Sequence, residues 1–117
     1  MWWASPIAHA SLHRDYLRPV GIYAVTGSAS GMGGATAQRL RDAGHTVIGV
    51  DIKSAEVVAD LSTPGGRNKG ADGVLAASGG RLDGAVLAAG LGPAPGADRP
   101  HRIAQVNYLG VVDLLDA

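Results

Sequence analysis

The chain of 117 residues contains no cysteine and no phenylalanine, and its ten basic residues are matched by ten acidic ones. Without cysteine there can be no disulfide, no thiolate nucleophile and no Cys-ligated zinc. A cytoplasmic location is the default expectation, although a cysteine-free chain can also be exported. The balanced charge gives no electrostatic reason to expect nucleic acid or an anionic membrane as a partner. No window is long and apolar enough to span a membrane, and the first 20 residues lack the apolar core of a signal peptide. With no Phe and only 4% aromatic residues, the core must be built from Ala, Val, Leu and Ile around closely packed backbone, and the chain has 18 glycines.

Hydrophobic residues make up 46% of the chain and charged ones 17%, the composition of one soluble globular domain. Residues 1–20, "MWWASPIAHASLHRDYLRPV", stand apart as a leader, either disordered or the product of a start codon read too early. His9 and His13 have the i, i+4 spacing of a helical metal pair, but no third ligand of suitable type lies nearby, so no metal site is expected.

From residue 21 to 117 short apolar runs alternate with helical patterns. "GIYAVTG" (21–27) and "HTVIGVD" (45–51) read as buried parallel strands, "AEVVADL" (55–61) as a short third and "LDGAVLAAG" (82–90) as a fourth. "ATAQRLRDA" (35–43) reads as a helix stopped by Gly44. "STP" (62–64) opens a second helix, to about Ser78, weakened by Gly65, Gly66, Gly70 and Gly73 at about 1 kcal/mol each. Residues 101–117 read as a last helix, with Val106, Leu109, Val112 and Leu115 forming one apolar stripe. The order predicts an α/β fold: a Rossmann-like, doubly wound parallel sheet, truncated to about four strands and three helices.

The loop between the first strand and first helix, "TGSASGMGG", spaces its glycines at 27, 31 and 33. This is neither the strict G-x-G-x-x-G fingerprint, because Thr36 occupies the last position, nor a Walker loop, because no Lys follows. Its physics is still that of a phosphate cradle. Gly27 allows a tight exit from the strand, while Gly31 and Gly33, flanking Met32, let backbone N–H groups approach a pyrophosphate at the positive end of a helix. Ser28 and Ser30 add hydroxyls. Asp51 ends the second strand 18 residues after Gly33, where a carboxylate can accept both hydroxyls of an adenosine ribose and repel a 2′-phosphate. The expected cofactor is NAD rather than NADP.

Thr26-Gly27-x-x-x-Gly31-x-Gly33, followed by Asp51, Asp60-Leu61, Ala88-Ala89-Gly90 and Asn107, resembles the short-chain dehydrogenase/reductase family. The Gly spacing is that of its classical branch, not of the extended, epimerase-like one. The runs "GHTVIGVDIKSAEVVADLST", "LDGAVLAAGLGP" and "VNYLG" look like the hydroxysteroid dehydrogenase and carbonyl reductase group within it. The resemblance covers residues 21–117. It implies an NAD-dependent oxidoreductase of small-molecule alcohols and carbonyls, hydroxysteroids among them. It also implies self-association of full-length members through the helix that carries Asn107. It places Gly27 to Gly33 around the pyrophosphate and ribose, Asp51 on the ribose hydroxyls, Asp60 at the adenine amino group with the Leu61 backbone beside it, and Ala88, Ala89 and Gly90 near the cofactor ribose. Where the family commonly has Asn-Asn-Ala-Gly, Leu87 and Ala88 stand at the Asn positions, so the side-chain bonds made there are lost. Asn107 matches the helix Asn that positions a water in the proton relay.

The family's chemistry also needs a Ser and a Tyr-x-x-x-Lys. Four residues after Tyr16, Tyr23 and Tyr108 stand Val20, Gly27 and Val112, and the only lysines are Lys53 and Lys69. The expectation is therefore the cofactor-binding part of a dehydrogenase, inactive alone, because the acid that would protonate the carbonyl oxygen is absent. The competing reading is a non-catalytic dinucleotide-binding or interaction module.

Overall fold

A computed structural model describes residues 20–92 and 94–116; the leader with His9, His13 and Tyr16, apart from its last residue, lies outside them. Four strands form one parallel sheet: β1 (Ile22–Thr26), β2 (Thr46–Asp51), β3 (Val57–Val58) and β4 (Gly84–Leu87). Their order is β3-β2-β1-β4, so β1 is central and the crossover from β3 to β4 spans the sheet. Two long helices, α1 (Gly31–Asp42) and α2 (Pro64–Ser78), are followed by α3, which is α-helical over Arg99–Ala104, π-helical over Gln105–Leu109 and α-helical again over Gly110–Asp116. The fold is the expected α/β sheet of four strands and three helices.

Alternation along the strands divides the core in two. Ala24, Ile48, Val50, Val57, Ala59 and Leu61 pack under α2 and α3 with Val74 and the half-buried Leu114. Val25 and Val47 pack on the other face against Ala37 and Leu40 of α1. With helices on both faces the central strands β1 and β2 are buried on both, which is why they read as unbroken apolar runs, while β4 stays partly exposed at the edge.

Several boundaries differ from expectation for identifiable reasons. Helix α1 begins at Gly31 rather than at residue 35, because the loop glycines are themselves its first turn. A Cβ on Gly33 would run into the Gly27 carbonyl oxygen, so the loop closes onto its own helix only with glycine there. Strand β3 pairs only at Val57 and Val58. Before it, the Gly49 amide is taken by the Glu56 carboxylate at 2.6 Å; after it, Asp60 turns the chain by accepting the Ser62 N–H at 2.9 Å. Of the glycines expected to weaken α2, Gly65 meets open space, but Gly66, Gly70 and Gly73 serve close approach: a Cβ on Gly73 would lie 2.7 Å from Val57 Cγ1. Thr63 caps the helix through Gly66 N–H at 3.0 Å, as the Ser-Thr-Pro signal predicts.

The single apolar stripe expected on the last helix is not what forms. Val106 is buried, but Leu115 is 68% exposed, and Gly110 and Leu114 turn toward the core instead. The π segment accounts for this, since its wider turn shifts the phase of everything after it by about one residue. The helix is anchored by Arg67 of α2, only 4% exposed. Its Nε donates to Asp113 Oδ2 at 2.6 Å, and its Nη1 donates to Gln105 Oε1 at 3.0 Å and to the Leu61 carbonyl at 3.1 Å.

Candidate functional site

A cleft of about 380 Å³ opens at the carboxyl ends of β1, β2 and β4, between the N-terminus of α1 and the face of α3. In open parallel sheets this is where ligands bind, because the loops on either side of the first strand leave in opposite directions. Gly27, Ser30, Gly31, Met32 and Gly33 form one wall, Asp51, Asp60 and Leu61 a second, and Ala88, Ala89 and Gly90 the third.

The first wall is backbone. Gly27 leaves β1 at φ +69, with its N–H donating to Val50 O at 2.8 Å, and Gly31 turns into α1 at φ +60. Ser30 is the N-cap residue, but its hydroxyl makes no cap bond, and the first amide of the helix bonded back is that of Gly34, to Ser30 O. The N–H groups of Gly31, Met32 and Gly33 therefore sit at the open, positive end of a twelve-residue helix with no Cβ screening two of them. This donor set fits a diphosphate. Ser28, expected with the cofactor residues, does not line the cleft; its hydroxyl lies over the Cα of Gly49, on the side from which Glu56 reaches in.

The Asp51 carboxylate holds the loop as well as facing the cleft. Its Oδ2 accepts from Ala29 N at 2.9 Å and its Oδ1 from Lys53 N at 3.2 Å. Each oxygen keeps a lone pair, which is what a ribose diol requires. Asp60 is held below the usual carboxylate range, first by the Ser62 hydroxyl and then by the Ser62 N–H, with the charge of Arg102 adding to both against the opposing effect of burial. Both Ser62 bonds fall on Oδ1, at 2.6 and 2.9 Å, and among the described residues Oδ2 has no partner.

On the third wall Ala89 N donates to Thr26 Oγ1 at 3.0 Å, tying the exit of β4 to the end of β1. Asn107 is not in the cleft lining. Its side chain grips the backbone of Leu91 at both ends, with Oδ1 accepting from Leu91 N at 2.7 Å and Nδ2 donating to Leu91 O at 3.0 Å. It sits within the π segment.

The structure adds cleft residues that the sequence left unmarked: Ile52, Lys53, Leu91, Arg102 and Val106. Arg102 and Val106 are four apart on α3, so helical spacing puts them on one side, but nothing in the sequence says that this side faces the cleft. Arg67, which fixes α3 there, sits in a glycine-rich segment with no pattern to announce it.

No protein-family model matches the chain. Curated proteins do. The chain is 45% identical over 96 residues to 3-alpha-hydroxysteroid dehydrogenase/carbonyl reductase of Comamonas testosteroni, covering 82% of this chain and 37% of the relative. It is 41% identical over 99 residues to coniferyl-alcohol dehydrogenase of a Pseudomonas species, covering 80% of this chain and 36% of the relative. Among solved structures, the 3-alpha-hydroxysteroid dehydrogenase of Pseudomonas sp. B-0831, complexed with NADH, superposes with a TM-score of 0.75 at 50% identity, over 81% of this chain and 37% of that one. The chain thus spans little more than a third of the length of these relatives.

Proposed function

This chain is related to the short-chain dehydrogenase/reductases over about four fifths of its length, and from that premise we propose that it forms the NAD-binding portion of an oxidoreductase of alcohols and carbonyls, hydroxysteroids among them, working in the cytoplasm. The observation that carries the proposal is the convergence of the glycine loop, Asp51 and Asp60 on one cleft at the carboxyl edge of the sheet.

In this reading the amides of Gly31 to Gly33 take the pyrophosphate, Asp51 the adenosine ribose diol, and Asp60 Oδ2 the adenine amino group, with the backbone at Leu61 beside it. Ala88, Ala89 and Gly90 back the second ribose. Bound there, NAD supplies the hydride acceptor. Asn107 holds Leu91 at the rim of the same site, next to where a relay water would stand. Self-association through the outer face of α3, where Tyr108 and Leu115 are exposed, belongs to the same reading.

The 117 residues contain no Tyr-x-x-x-Lys, so the chain alone binds nucleotide and does not turn it over. A second reading, a nucleotide-binding module with no chemistry of its own, draws support from the same gap and from Leu87 and Ala88 at positions the family gives to Asn.

Calorimetric titration tests the assignment. Asp51→Asn should weaken NAD about tenfold or more, because it removes charge-assisted hydrogen bonds to the diol, and should narrow the preference for NAD over NADP. Equal NAD affinity in both forms would falsify the ribose assignment, and turnover by the purified chain would overturn the statement that it is inactive alone.

A further inference from the structure

The wall of the cleft that takes the adenine in the reading above has an apolar floor. Val50, Ala59 and Leu61 line it and are 1%, 5% and 7% exposed. Above the floor runs α3, presenting Val106 and, one turn earlier, Arg102. The Arg102 charge reaches the Asp60 carboxyl and adds to its lowering. Yet among the described residues the two form no ion pair within 4.0 Å, and the Arg102 side chain makes no hydrogen bond. Arg102 and Asp60 therefore line the same cleft, beside its apolar floor, without pairing with each other.

The height of α3 above the floor is set by Arg67. It grips the Leu61 carbonyl on the floor side and Gln105 and Asp113 on the helix side with one side chain. Farther along, the buried Gly110 also packs on Leu61, where an added Cβ would make an ordinary contact at 3.6 Å from the Leu61 Cβ. The slot is thus a built feature and not an accident of a mobile side chain.

We propose that Arg102 is the roof of an adenine subsite: its guanidinium plane lies over the face of the base, whose other face rests on Val50, Ala59 and Leu61 and whose amino edge meets Asp60 Oδ2. The inference rests on the reading of the cleft as an adenine dinucleotide site and deepens it by naming what recognises the base. Arg suits the position because it is planar and weakly hydrated and so stacks on an aromatic face, where Lys offers only a point charge. The site takes its affinity from the adenosine half of the ligand, so ADP-ribose should bind without any help from a nicotinamide.

The test is titration of ADP-ribose into the 117-residue chain as wild type, Arg102→Met and Arg102→Lys, with circular dichroism confirming equal folding. Arg102→Met should bind about tenfold more weakly, the range of a desolvated cation–π contact and of base stacking, and the deficit should persist at high salt. Arg102→Lys should stay near Arg102→Met. Unchanged affinity in Arg102→Met refutes the roof, and so does full rescue by Lys, which would mean that charge acting on the phosphates is all that matters. Failure of the wild type to bind ADP-ribose would strike the dinucleotide reading itself and this inference with it, an outcome distinct from a wild type that binds and a variant that binds equally well.

Discussion

The two sides of the cleft are built by opposite means. On the α1 side nearly everything is main chain: positive-φ glycines, helix amides and a loop held by one carboxylate, that of Asp51. On the α3 side nearly everything is side chain: Arg67 with three acceptors on two elements, Asn107 clamping Leu91, and Thr26 holding Ala89. A main-chain wall tolerates almost no added atoms but asks little of residue chemistry. A side-chain wall tolerates volume but fails when one polar partner is lost and the others are left unpaired.

The largest expected effect breaks the first wall by volume alone. Gly33→Val drives a branched Cβ into the Gly27 carbonyl and should cost more than about 3 kcal/mol, with loss of nucleotide binding. A thermal melt and an NAD titration read the two consequences, and a variant that melts and binds like wild type would show the close approach to be unimportant. Next comes the α3 side. Arg67→Met keeps the stem but leaves the buried Leu61 carbonyl and the half-buried Gln105 unpaired, and should cost about 3 kcal/mol in denaturant unfolding. A loss well below 1 kcal/mol would mean that packing, not this arginine, seats α3.

The smallest effect concerns Asp60, where the two walls meet. Its folded value is depressed, chiefly by the Ser62 hydroxyl. The stability it contributes is therefore fully present above the ordinary carboxylate value, at about pH 4, and is lost as pH falls through the lower folded value. Asp60→Asn should therefore lower the neutral plateau of the stability–pH curve slightly and flatten its acid limb, because the charged form that carries the contribution is gone at every pH. An acid limb identical to wild type would place the titrating group elsewhere.

The same contrast explains what the sequence made legible. The glycine loop could be read because its requirement, no Cβ at 27, 31 and 33, is written in residue identity. Asp51 could be read because its place follows from a strand length. The parallel α/β sheet of about four strands and three helices followed from apolar runs alternating with helical patterns. The reach of Glu56 to Gly49, just ahead of β3, could not be read, since it is a contact between residues whose spacing carries no periodic signal. Nor could the π turn at Gln105–Leu109, which moved the apolar stripe off Leu115. Arg67 and Arg102 escaped for the same reason: a cation on a helix becomes a tether or a roof only through what the tertiary fold sets opposite it.

The central place of β1 has a consequence for the order in which the molecule is assembled. Strand β1 meets β2 across a register of Ile22 with Thr46, but it meets β4 across Tyr23 with Gly84. The Ile22 amide is closed by Asp83 Oδ2 at 2.7 Å, across 61 residues of chain. No hairpin can make that pairing locally, and loop closure of this span comes late and slowly. The glycine loop exists in the chain from its first few dozen residues, yet the pocket it serves acquires its third wall only when the contacts across 61 and 63 residues of chain are made. Nucleotide binding should therefore report the end of folding, not its beginning.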